Sequence, residues 1–157
     1  MYDQIYWTLT FGGTVHYDPV SLRPEMKNYT IFVDGISKAF AATGVRVGWA
    51  MGPSEIIVKM RSINSHIGAW APMAEQKAVA RYLLQTEAIN KYFVGFKSEI
   101  NERLQKIHEG FQQLKKDGFT VDSISPEAAI YLTIQINYAG KKTKEGKALT
   151  TQADVTS

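Results

Sequence analysis

Between Glu87 and about Lys116 the apolar residues Ile89, Phe93, Phe96, Ile100, Leu104, Ile107, Phe111 and Leu114 recur at steps of three and four. That period gathers side chains onto one face of an α-helix and onto no face of a strand. The pattern predicts a single amphipathic rod of close to thirty residues, and a rod of that length needs a core along one whole side. Asp117 and Gly118 end it as a glycine C-cap would. A boundary is therefore expected within or after the helix. It divides a larger α/β part, residues 1–86, from the linking helix, 87–117, and from the start of a smaller α+β part, 118–157.

Upstream of the rod the period is that of strands. MYDQIYWTLTF (Met1 to Phe11) is rich in aromatic and β-branched residues, and its beginning reads as the tail of a strand. The next stretch, Gly12 to Asn28, is loop-like with room for a short helix. YTIFVDGIS (Tyr29 to Ser37) and VRVGWAMG (Val45 to Gly52) are short apolar runs of the buried-strand type. Pro53 and Ser54 open a helix, with Ser54 as N-cap and Ile56, Ile57, Met60 and Ile63 at helical spacing, and Pro72 opens another through about Leu84. Beyond the rod, Phe119 to Ile136 returns to strand-like alternation, and the tail to Ser157 is polar.

Composition narrows the function classes. The 18 basic residues against 15 acidic ones leave a net charge of only +3, and the one dense basic run, KKTKEGK (Lys141 to Lys147), reads as a solvated loop. A nucleic-acid or membrane surface is not indicated. With no cysteine there is neither a disulfide framework nor a thiolate metal site. His16, His66 and His108 have no metal-like spacing, so no metal is expected. No apolar run approaches the roughly 18 residues that span a bilayer, and the N-terminus lacks a signal-peptide layout. The expected location is cytoplasmic.

The charges that need explaining lie in VDGISKAFAATGVRVGW (Val33 to Trp49), where Lys38 and Arg46 stand at the ends of what read as two interior strands. Charges there are costly unless they face solvent or have a partner. SKAFAATGVRVGW (Ser37 to Trp49) resembles the cofactor-lysine signature of the class I and II aminotransferases, which are fold-type I enzymes using pyridoxal 5'-phosphate. DQIYWTLTF (Asp3 to Phe11) is similar to that family's D-x-x-Y motif, and SPEAAIYL (Ser125 to Leu132) to the P-x-G-A-F-Y segment that opens its small domain. The three pieces stand in the family's order, so the resemblance runs from Asp3 to Leu132.

The resemblance implies an α/β fold: the C-terminal half of a cofactor-binding large domain with a parallel-rich sheet, a long linking helix and an incomplete small domain. It implies that Lys38 holds the cofactor as a Schiff base and then serves as the base and acid that moves the substrate proton. A lysine for that work is best partly desolvated. Arg46 matches the phosphate-binding arginine, whose fork of donors suits a dianion. Asp3 matches the carboxylate that keeps the pyridine nitrogen protonated, and Tyr6 the hydroxyl on the ring oxygen. Some relatives carry a phosphate-contacting serine three residues before the lysine; here that position is Gly35, and Ser37 is the weaker candidate.

The implied reaction is transfer of an amino group from an amino acid to a 2-oxo acid, in a homodimer or other homo-oligomer. The family's glycine-rich phosphate loop, its ring-stacking aromatic residue and its carboxylate-binding arginine have no match in this sequence, so the expectation is a fragment carrying part of a site. Two alternatives stand beside it. One is another fold-type I activity, such as a C–S lyase, a decarboxylase or a ring-closing enzyme of the ACC-synthase kind, since fold and cofactor do not choose the reaction. The other is a truncated chain that persists as a non-catalytic interaction fragment.

Overall fold

The computed structural model describes residues 1–156 and divides the α/β chain into two compact units. The first comprises residues 1–99 with 127–129, and the second residues 100–126 with those from 130 onward. The division falls inside the long helix.

In the first unit a three-stranded sheet has the order β1-β2-β3, with β1 at Tyr2–Asp3, β2 at Phe32–Gly35 and β3 at Gly48–Met51. Strands β1 and β2 run parallel, in register Tyr2 to Phe32 and Asp3 to Val33. Strands β2 and β3 are antiparallel, in register from Phe32 with Met51 to Gly35 with Gly48. The strands are shorter than the apolar runs suggest. After Asp3 the chain turns at once, with Trp7 N–H donating to the Gln4 carbonyl and Leu9 N–H to that of Tyr6. After Gly35 it coils into one helical turn, α2 (Ile36–Ala39).

Helix α1 (Pro19–Leu22) fills the expected place for a short helix. Asp18 accepts from the N–H groups of Val20 and Ser21, the Ser21 hydroxyl accepts from Asp18 N–H, and Pro19 occupies the first turn. Helix α3 (Ser54–Ile67) begins one residue earlier than expected. Pro53, at φ −53° and ψ 130°, is its N-cap, so Ser54 is already helical and makes no capping bond. Gly68, in the left-handed region, ends it. Helix α4 (Met73–Tyr82) stops short of Leu84.

Helix α5 (Thr86–Lys116) is the 31-residue rod. Ile89 and Leu104 are buried and Phe93, Phe96, Ile100 and Phe111 half-buried, whereas Ile107 and Leu114 remain exposed. Gly118, at φ +90°, closes it: its N–H donates to Lys115 O and Phe119 N–H to Leu114 O, the doubled bond of a Schellman end. In the second unit β4 (Val121–Ser123) and β5 (Ile134–Ile136) pair antiparallel. The strand expected across the whole of Phe119 to Ile136 is interrupted between them, because Pro126 has no N–H to give a ladder and Ala129 turns to φ +63°. Residues 127–129 pair instead in the first unit, with Phe11 N–H donating to Glu127 O and Ala129 N–H to Leu9 O. The tail holds a short helix, α6 (Gln152–Thr156), where only polar loop is expected; Ser157 lies outside the described residues.

Candidate active site at one edge of the small sheet

Register brings the candidate groups together. Asp3 is the last residue of β1, and the parallel pairing places it beside Val33, two residues before β2 ends at Gly35. Lys38 lies three residues past that end, in α2. Because β3 runs antiparallel and its first residue, Gly48, faces Gly35, the residues that lead into it, Arg46 among them, lie at the same edge. The residues that carry a carboxylate, an amine and a guanidinium, up to 43 positions apart in sequence, thus stand at one edge of one sheet. It is the edge beyond the carboxyl ends of the parallel strands, where α/β sheets hold ligands.

Packing fixes the lysine turn from behind. Ile36 and Ala39, on either side of Ser37 and Lys38, are buried, and Ile36 joins Val47 and Val79 in the core of the unit. Phe40 lies in a ring cluster, 5.5 Å from Tyr82 of α4 and 5.1 Å and 6.0 Å from Phe93 and Tyr92 of α5. The aromatic residues of the rod, which its periodicity marks as a packing face, therefore clamp the segment that carries Lys38. Tethered on both sides, Lys38 is half-buried, and its ammonium has no ion pair or hydrogen bond among the described residues.

The loop from Ala41 to Arg46 stores strain. Ala41, at φ +50°, and Arg46, at φ +59°, both occupy the left-handed region without being glycine. Arg46 is exposed, contrary to the expectation that it ends a buried strand: β3 begins two residues later, and the guanidinium Nη1 donates to Thr43 O at 2.8 Å. Solvent thus answers part of the cost that a buried charge would carry. Asp3 is exposed and accepts from Ile5 N–H at 3.1 Å through Oδ1. Tyr6 and Ser37 are half-buried.

Gly35 has no room for the side chain that its counterpart carries in some members of the resembled family. A Cβ there would stand 2.9 Å from Val47 O and 3.0 Å from the Gly48 Cα, so the two glycines let β2 and β3 approach each other closely.

One residue of this edge is not foreshadowed by any motif. Asp34 is buried, at 8% exposure, in the middle of the apolar run of β2. Its Oδ1 accepts from Gly35 N–H at 2.7 Å and its Oδ2 from Trp7 Nε1–H at 2.9 Å. Burial raises its pKa above 3.8, against the lowering effect of the donors. The signal available in the sequence was an acidic residue at an interior strand position, YTIFVDGIS. A cavity of about 320 Å³ lies beside it, walled by Trp7, Phe40, Trp49 and Phe93. Lys38, Asp3 and Arg46 do not line this cavity.

An amine without an internal partner, a guanidinium with donors to spare and an exposed carboxylate make a donor set that fits a phosphorylated, carbonyl-bearing ligand with a basic ring nitrogen. The histidines lie elsewhere: His66 bonds Ser62 O within α3, and His108 Nδ1 lies 2.8 Å from Ser123 Oγ in the second unit. No group of three or more metal-ligating side chains exists among the described residues, and no described helix is long and apolar enough to cross a membrane.

Comparison with known proteins gives a consistent picture. The family described as aminotransferase class I and II matches residues 1–155. The aspartate aminotransferase of Geobacillus stearothermophilus is 34% identical over 131 residues, covering 83% of this chain and 31% of that protein. The aspartate aminotransferase of Bacillus sp. (strain YM-2) is 30% identical over 160 residues, covering 98% of this chain and 39% of that protein. Among solved structures, the aspartate aminotransferase from Rhizobium meliloti superposes with a TM-score of 0.81 at 27% identity, over 97% of this chain and 36% of its own. The chain spans about a third of the length of the relatives it matches.

Proposed function

Because the chain belongs to the class I and II aminotransferases, we propose that it is the lysine-bearing part of a pyridoxal-phosphate-dependent aminotransferase that moves an amino group from an amino acid to a 2-oxo acid. The observation that supports this most is the shared sheet edge, where the ends of β1 and β2 and the start of β3 gather Asp3, Lys38 and Arg46. When bound, pyridoxal phosphate supplies the electron sink that makes a substrate Cα–H bond acidic.

In this reading Arg46 holds the phosphate through the N–H groups not used on Thr43. Asp3, whose carboxylate is exposed, would pair with the ring nitrogen and favour its protonated form. Tyr6 and Ser37 would supply hydroxyls to the ring oxygen and the phosphate. Lys38, whose side chain extends from a turn buried on both sides, would hold the cofactor through Nζ, and the same amine, when free, would take up and return the substrate Cα proton. Large domain, linking helix and small domain are assigned to residues 1–86, 87–117 and 118–157. The substrate of the relatives named above favours a dicarboxylic amino acid. A second copy of the chain is the partner we assign, because helix α3 leaves apolar side chains uncovered, Ile63 at 59% and Ile67 at 67% exposure. A cytoplasmic location completes the reading.

The test is borohydride trapping of added pyridoxal phosphate on the 157-residue chain, followed by peptide mapping. Label concentrated on Lys38 and abolished in Lys38→Ala supports the assignment. Label spread evenly over Lys38 and the lysines from Lys141 to Lys147 removes it.

A further inference from the structure

Trp7 and Asp34 are 27 positions apart in sequence and belong to the two segments that carry the candidate groups. Trp7 follows Tyr6 in the turn after β1, and Asp34 precedes Gly35, from which the Lys38 turn departs. The two segments share only a short ladder, since β1 has two residues. Its last backbone bond is Gln4 N–H to Val33 O, and beyond it the Trp7–Asp34 bond continues the link through side chains. The carboxylate is well suited to that task. Oδ1 accepts from Gly35 N–H and Oδ2 from Trp7 Nε1–H, the Gln4 side chain adds a further hydrogen bond from the same turn, all these donors are neutral, and Asp34 itself is 8% exposed while Trp7 stays 46% exposed. Opposite Asp34 across the antiparallel pairing stands Trp49, half-buried, on the wall of the same cavity.

We propose that Asp34 and Trp7 form a clasp that sets the spacing between the Asp3–Tyr6 turn and the Lys38 turn, and that both are positioning residues for the cofactor lysine. Neither touches the reacting atoms. Their effect passes through Gly35, whose backbone N–H is bonded to the same carboxylate and which packs so closely against Val47 and Gly48 that a Cβ would not fit. A displacement of about 1 Å at a covalent site costs up to a hundredfold in rate, so a clasp that holds two short turns in place is worth its buried charge. The inference rests on the assignment of Lys38 as the cofactor lysine.

A double-mutant cycle tests it, read as the rate of borohydride-trapped pyridoxal phosphate at Lys38 relative to label at Lys141 and Lys142 in the same sample. Trp7→Phe keeps the ring and removes the donor; Asp34→Leu removes the acceptor. The expected result is that each single variant lowers the Lys38 ratio about tenfold, that the double variant lowers it no further, and that Lys115→Met, in the other unit, leaves it unchanged. The indole Nε1–H resonance of Trp7 should shift in Asp34→Leu and stay in place in Lys115→Met, which reads the bond itself in a folded chain. If Lys38 is trapped selectively in the parent and the losses are additive or absent, the clasp is overturned and the cofactor assignment stands. If the parent shows no selectivity for Lys38, both fall.

Discussion

Two aspartates in this chain are built on the same local plan and used in opposite ways. Asp34 in the first unit and Asp122 in the second each accept the backbone N–H of the following residue through Oδ1, Gly35 at 2.7 Å and Ser123 at 2.8 Å. Each also reaches a donor on a distant segment. For Asp34 that donor is the neutral indole of Trp7, and the residue is buried. For Asp122 the donors are Lys115 Nζ and Gln112 Nε2 from α5, and the pair with Lys115 is half-exposed. Burial raises the pKa of the first, whereas the hydrogen bond from Lys115, aided by Gln112 and Ser123, holds the second at about 2. A buried carboxylate without a cation keeps an energetic cost that a purely structural link would avoid; a solvated one with a lysine is an ordinary brace from a hairpin to a helix. The cost is found at the edge that gathers Lys38, Asp3 and Arg46.

The strongest way to break this contrast is to disturb the backbone on which the first clasp stands. Gly35→Ala places a Cβ against Val47 O and the Gly48 Cα, neither of which is a flexible side-chain end. We expect a loss of about 3 kcal/mol, the upper end for overpacking, read by chemical denaturation with Trp49 fluorescence as reporter. A tolerated alanine would mean that β2 and β3 can separate, and the rigidity assigned to the strand end would be lost.

Next in size is Trp7→Phe, which takes the indole donor from a buried carboxylate that keeps Gly35 N–H and the Gln4 side chain. The penalty for that lost hydrogen bond is about 1 kcal/mol, expected in the unfolding of the first unit at neutral pH. Lys115→Met should do less, because a half-exposed ion pair gains little over hydration, and it should leave trapping at Lys38 untouched. Equal losses from the two substitutions would erase the distinction between the clasps.

How much of this was legible beforehand follows from the range of each signal. The rod was readable almost to its ends, α5 spanning Thr86–Lys116 against an expectation of Glu87 to about Lys116, because eight apolar positions repeat one period. Lys38, Arg46 and Asp3 were nominated by local motifs whose spacing survives in any sequence carrying them. Strand lengths were overread, since apolar content in YTIFVDGIS does not distinguish β2 from the buried turn that follows it. The apolar period does not carry the exposure of Ile107 and Leu114, nor the hydrogen bonds that half-buried His108 and Gln112 make to Ser123 and Asp122 near the end of the helix. The Trp7–Asp34 bond had no periodic signature at all, being one contact across 27 positions. An acidic residue inside an apolar strand was the only trace it left.

The smallest expected effect is the most discriminating, because for it the two aspartates differ in sign. Asp34 has a native pKa above its unfolded value of 3.8, so between the two values the folded chain binds more of the proton than the unfolded one. Its contribution to stability therefore falls as the pH rises through that window and grows as the pH drops. Asp122, with a native pKa of about 2 against 3.8 unfolded, contributes fully above 3.8 and loses that contribution as the pH falls through about 2. Unfolding free energies of the parent minus Asp34→Asn, and of the parent minus Asp122→Asn, measured from neutrality down to roughly pH 2, isolate each residue from Asp18, whose lowered pKa gives the first unit an acid-sensitive cap of its own. The Asp34 difference should rise on acidification while the Asp122 difference falls. Added salt should flatten the second curve, which depends on an exposed cation, and leave the first nearly unchanged. Parallel slopes would mean that Asp34 is stabilised by charge after all, and a search for its cation would then have to replace the clasp.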